Sequence, residues 1–148
     1  MLGQYKILSE ILIFAIGIAI TSYVVLSFSG VRDFIGVVSA QDKLENVANM
    51  VINTVVKSAE DNSFLVMEIP ETISGSAYFM KMVDRDGDVC DKGEECFVNL
   101  TTSVFTGISV KKQLFNISQN YNIKGDVHST ARFLTIYSKE DEITLGRI

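Results

Sequence analysis

The chain has 148 residues, with 13 Lys and Arg against 18 Asp and Glu, a net charge of −5, two cysteines and a single histidine. Its basic residues are scattered, with only Lys111-Lys112 adjacent, so the basic face needed for nucleic acid or a polybasic membrane patch is missing. No GxGxxG, Walker A or HExxH pattern occurs, and a lone His128 beside loop-like neighbours reads as a turn residue, so no enzymatic function and no small-molecule substrate are expected.

A mostly polar start ends at Glu10, and from Ile11 to Val31 the chain carries no charge. About twenty apolar residues span a bilayer as a helix. The run exceeds the roughly 7–15 residues of a signal-peptide core, and no small-x-small cleavage site follows it, so a retained helix is expected. Glu10 has two readings. It lies at the headgroup level or in the first helical turn, or it pairs with Lys6 or a neighbouring subunit's amine. Gly17, Ser22, Ser27, Ser29 and Gly30 interrupt the Ile, Leu, Val and Phe of this run, and small residues let helices approach closely.

Charges return at Arg32, and apolar residues recur at three- and four-residue steps from Phe34 through Leu44, Val51 and Val55 to Ala59. This predicts one helix over residues 1–60, hydrophobic over 11–31 and amphipathic over 32–60. One face of the amphipathic half is expected to pack on the following domain, and Asp61-Asn62-Ser63 to stop the helix. The residues assigned to assembly are Glu10, Phe14, Gly17, Phe28, Phe34 and Val38.

Residues 61–148 form the second predicted domain. Period-two patterning predicts strands over Phe64–Ile69, Ala77–Val83, Cys96–Thr101, Val104–Val110, Tyr121–Lys124, Ala131–Ser138 and Glu142–Leu145. Short strands so spaced suggest an antiparallel sandwich or curled sheet, giving an α+β fold. The piece from about Asp61 is expected to fold by itself.

Within it, Asp84-Arg85-Asp86-Gly87-Asp88 alternates carboxylates around a glycine. Counting Asp84 as position 1, Asp86 and Asp88 fall at 3 and 5, the Cys90 carbonyl at 7 and Glu95 at 12, the register of an EF-hand loop. Val89 stands where that loop has glycine, and no helix flanks it. Two readings stay open: a Ca²⁺ site on Asp84, Asp86, Asp88 and Glu95, or a solvated acidic hairpin. No other cofactor is expected.

Cys90 and Cys96 fit neither a CxxC redox motif nor a zinc half-site. They are read as a disulfide closing an exposed loop, which implies an oxidising compartment. Asn99-Leu100-Thr101 and Asn116-Ile117-Ser118 are glycosylation sequons, which agree with an exterior location.

The run Ser9-Glu10-Ile11-Leu12-Ile13-Phe14-Ala15-Ile16-Gly17-Ile18, its unbroken continuation to Glu60, and the strand-rich C-terminal part with Phe133–Tyr137 and Ile143–Leu145 resemble archaeal type IV pilins and archaellin-like subunits. The resemblance covers the whole architecture. Gly3-Gln4 looks like the junction at which pilin leaders are cut, with Leu2 in place of a basic residue; a processed form, a short leader and an uncleaved chain are all compatible with it. The family implies a structural subunit of an extracellular filament for adhesion or motility. It would sit in the cytoplasmic membrane before packing with copies of itself. The alternative is a single-pass membrane-anchored ectodomain, such as a minor pilin or archaellum accessory protein, with the acidic loop as a calcium-dependent adhesive site.

Overall fold

The computed structural model describes residues 2–103 and 108–148, and the side chains of these except residues 2–4, 32 and 33. The first element, α1, is one helix from Leu2 to Asp61. No proline interrupts it, and it stops where the sequence predicts. Asn62 takes the left-handed conformation at φ 46°. The Ser63 amide then reaches back to the Ser58 carbonyl at 3.2 Å, which is the closing bond of a Schellman cap. The Ser58 hydroxyl, in turn, donates to the Ser63 carbonyl at 2.7 Å.

Contacts divide the chain into two compact units, residues 1–37 and 38–148. The second unit therefore contains the C-terminal part of α1 as well as every strand. Leu44, Val47, Ala48, Val51, Ile52 and Val55 are buried, at the three- and four-residue steps that define one face of a helix. Asp42, Lys43, Asn46, Asn49, Asn53 and Lys57 stay exposed between them.

Eight strands follow: β1 (Phe64–Glu68), β2 (Tyr78–Val83), β3 (Phe97–Thr102), β4 (Ser109–Gln113), β5 (Asn122–Lys124), β6 (Asp126–His128), β7 (Phe133–Lys139) and β8 (Glu142–Arg147). They make two four-stranded sheets, in the orders β1-β7-β8-β5 and β4-β3-β2-β6. The molecule is thus an α+β arrangement of one long, apolar N-terminal helix followed by mainly antiparallel sheets. One cluster of buried residues joins α1 to both sheets, with Met80, Val98 and Leu100 from one and Leu134, Ile136 and Ile143 from the other.

Three features differ from the sequence reading. β5 runs parallel to β8, because the chain enters it from a 3-10 turn over Phe115–Gln119 and not from a hairpin. The strand expected at Val104–Val110 lies partly outside the described residues, and β4 itself is Ser109–Gln113. Its Lys111-Lys112-Gln113 looks polar because β4 is an edge strand: Lys112 is half-buried and pairs with Glu45 of α1, laying its apolar stem along the domain.

The third difference is at Gly125-Asp126, which reads as a hairpin turn but is a corner between two strands of different sheets. β5 belongs to the first sheet and β6 to the second, so the chain passes between sheets at Gly125. Its φ is +128°, and a Cβ there would lie 2.3 Å from the Leu145 carbonyl oxygen. Only glycine meets both conditions.

Two outcomes are expected. Five of the helix residues, Leu44, Val47, Val51, Ile52 and Val55, are buried, and at about 1.5–3 kcal/mol each they supply roughly 7–15 kcal/mol, comparable to the stability of a whole domain. A fragment of residues 38–148 should therefore melt cooperatively, whereas one of 62–148 should show no folded baseline by circular dichroism, contrary to the expectation of an autonomous piece from Asp61. Gly125→Ala in the 38–148 fragment should cost about 2–4 kcal/mol in urea unfolding, from backbone strain and overpacking together.

Candidate functional site

In the N-terminal unit, every described side chain from Tyr5 to Val31 is exposed, as are those of residues 34–37. Phe14 is 71% exposed, Phe28 68% and Phe34 69%. Val38, the first residue of the second unit, is 40% exposed. The helix is long and apolar enough to cross a membrane. Three of its hydroxyls are bonded within the helix. Thr21 donates to the Gly17 carbonyl at 2.8 Å, Ser27 to Tyr23 at 2.9 Å and Ser29 to Leu26 at 2.8 Å, so each is satisfied by its own helix.

Around Gly17, the residues Ile13, Phe14, Ile18, Thr21 and Ser22 line a mainly apolar depression of about 500 Å³. Nothing lies within 4 Å of a Cβ placed at Gly17, Gly30 or Gly36. The chain's own packing therefore does not require these glycines, although each costs a helix roughly 1 kcal/mol relative to alanine. Glu10 is exposed on the same helix and makes no ion pair among the described residues. Thr21, one helical turn from Gly17, lines the same depression.

In the second unit, the acidic loop is organised by Asp84. One carboxylate oxygen accepts from the Gly87 and Asp88 amides, both at 2.7 Å, and the Asp84 amide donates to the Asp88 carbonyl at 3.0 Å. The Lys111 amine donates to the Asp84 and Arg85 carbonyls at 3.1 Å each, and Lys81 to the Gly87 carbonyl at 3.3 Å. Two cations thus occupy loop carbonyls. Asp84, Asp86 and Glu95 border one shallow depression of about 250 Å³ with Arg85 and Glu94, while Asp88 lies outside it. Among the described residues, no group of three or more His, Cys, Asp or Glu side chains is placed to hold a metal ion. Desolvation pushes the Asp84 carboxyl up, but the Asp88, Gly87 and Asp86 amides, with the Lys111 charge, together outweigh it and hold the group below its ordinary range.

Cys90 and Cys96 lie at disulfide distance, with Cα atoms 5.6 Å apart, within the usual range for the bond. Both are buried in the core cluster, although residues 91–95 between them are exposed. The loop is pinned to the domain: Ile123 donates to the Cys90 carbonyl at 3.0 Å, Gly93 to Ser118 at 2.8 Å and Leu114 to Cys96 at 2.8 Å. Closing so short a loop removes about 2 kcal/mol of unfolded-chain freedom in the entropic description. Of the sequon residues, Asn116 is exposed in the 3-10 turn with Ser118 buried. Asn99 is half-buried on β3, with Thr101 exposed.

No family model matches the chain, and neither does any curated protein or solved structure.

The Asp84 geometry fixes a pH dependence. Its folded-state pKa is depressed, so its contribution to stability is present above the unfolded value and lost as pH falls through the folded one. In fragment 38–148, Asp84→Asn should lower the melting temperature at pH 7. The gap to the parent should narrow below about pH 4, where an unperturbed aspartate titrates. A gap that is constant down to acid pH would show that Asp84 acts by shape alone.

Proposed function

We propose that this chain is a structural subunit of an extracellular, archaeal type IV pilus-like filament, held in the membrane by its N-terminal helix before assembly and serving adhesion or motility. The observation that carries the reading is the helix surface from Tyr5 to Val38, whose described side chains are all left exposed. At 1.5 Å per residue the uncharged run from Ile11 to Val31 is about 30 Å long, the thickness of the bilayer hydrocarbon, and exposed apolar residues continue past it. A plain anchor needs only the uncharged run. The excess, which includes Phe34 and Val38, favours burial against other copies, and the unexplained Gly17, Gly30 and Gly36 favour close helix approach.

Assembly would transfer this surface from lipid to a helical array, with about 25 cal/mol per Å² opposing its exposure to water. A head-to-tail contact that does not close generates an open filament. The β-domain would then form the outer surface. The buried Cys90–Cys96 pair and the exposed Asn116 are compatible with an oxidising exterior. In this reading Glu10 pairs within the array, where an unpaired carboxylate would be costly.

Negative-stain electron microscopy of the chain produced with a pilus assembly system tests the proposal. Uniform filaments are expected from the parent, and Gly17→Leu and Phe34→Asp should each abolish them while the full-length variants in detergent keep the parent's melting transition. Normal filaments from both variants would refute the helix packing. Detergent-dependent monomers or rosettes from the parent would favour the membrane-anchored ectodomain.

A further inference from the structure

The outer face of the sheet β1-β7-β8-β5 carries a mixed surface that helix assembly does not use. Phe64 and Tyr137 are cross-strand partners, 56% and 45% exposed, with ring centroids 6.4 Å apart. Tyr137 is opposite Thr144 on β8. One step along the sheet, Lys139 is opposite Glu142, and Glu142 is opposite Asn122 on β5. Tyr137, Thr144 and this polar row line a depression of about 360 Å³, whose rim is the Glu140-Asp141 hairpin tip. That volume falls in the range of small-ligand sites.

The polar groups are held in place. The Lys92 amide donates to Asn122 Oδ1 at 2.8 Å, which fixes the orientation of the Asn122 amide and leaves its NH₂ to donate elsewhere. The Lys92 amine pairs with Asp141 at 2.7 Å, so the disulfide loop steadies the hairpin tip. Glu142 accepts from Thr144 at 3.0 Å and pairs with Lys124 at 2.5 Å. The Lys124 and Thr144 bonds hold its carboxyl below the ordinary range, so it is an ionised acceptor at neutral pH.

Charge decides the class of ligand. The lining holds Glu140, Asp141 and Glu142 with Lys139, and from outside it Lys92 and Lys124 pair with Asp141 and Glu142, so the three carboxylates are matched by three amines. A balanced site has no net attraction for an anion or a cation. What remains is an aromatic face beside interleaved donors and acceptors. A sugar presents the complement: an apolar C–H face and a rim of hydroxyls that both donate and accept. The geometry points to a binding site for a neutral oligosaccharide on the outer face of this sheet, with Tyr137 as the stacking platform and Asn122, Lys139 and Glu142 as hydroxyl partners.

The inference stands apart from the filament reading, because it can be read on dispersed subunits. The full chain, in a detergent without a sugar headgroup, would be titrated calorimetrically with maltotetraose, cellotetraose, mannotetraose and tetra-N-acetylchitotetraose. At least one should bind, and Tyr137→Leu and Thr144→Arg should each weaken it by about tenfold or more, the loss typical of removing or blocking an aromatic anchor. Both variants should melt near the parent temperature, since both positions face outward. Failure of all four sugars to bind would overturn the site, as would unchanged affinity in both variants. A preference for acidic over neutral sugars that disappears with salt would overturn the neutral assignment.

Discussion

Leu44, Val51 and Val55 are fully buried in a cluster that contains strands from both sheets, and the second unit depends on that shared burial. Each four-stranded sheet has one apolar face to cover, and the helix supplies apolar surface to the common core. Without it, the shared core would lose part of its packing, and a domain of this size has little stability to spare. The contact is reinforced at its margins by polar links, Lys112 to Glu45 and the Tyr121 hydroxyl to the Ala59 carbonyl at 3.2 Å. These fix where the helix lies on the domain more than they add to its stability, since exposed pairs contribute little.

The sheets are joined at Gly125, where one stretch of chain leaves the first sheet and enters the second. Such a corner lets two small sheets be joined without a long connection. The same stretch anchors the disulfide loop through Ile123 and Asn122, and through that loop steadies the β7–β8 hairpin tip. Backbone geometry at one glycine thus reaches the polar rim of the outer face through a chain of short contacts.

Most of the helix could be read from sequence because its signals are long-ranged and redundant: an uncharged run, a 3.6-residue period and a cap at Asn62-Ser63. The central strands β2, β3 and β7 were equally legible, since each alternates buried and exposed residues. The failures have a common cause. β4 carries lysines on an edge, and β6 is three residues long, too short for a period to register; β5 is as short and reads as a strand over Tyr121–Lys124, but nothing in that stretch announces its parallel pairing with β8. Gly125 announced a turn, and only the opposing Leu145 carbonyl, distant in sequence, makes it a corner. The acidic loop shows the limit for sites. Alternating aspartates were visible, but not that Asp84 spends one oxygen on two backbone amides and that Lys111 and Lys81 hold the loop carbonyls. The outer-face pocket draws on three strands and a hairpin, so no local pattern could reveal it.

The two units face opposite physical demands. Residues 38–148 enclose a core of their own. The helix before them encloses nothing. In water, so much exposed apolar surface would drive aggregation, and an isolated helix gains little from its own backbone bonds. Its helical state is therefore conditional on a second apolar phase, lipid or other copies. The hydroxyls of Thr21, Ser27 and Ser29 suit either phase, because each is already bonded within the helix. The glycines do not suit both equally. In lipid, Gly17, Gly30 and Gly36 only forfeit helix propensity and contact area. Between closely packed helices, the missing side chains become the contact, and the proposed assembly rests on that asymmetry.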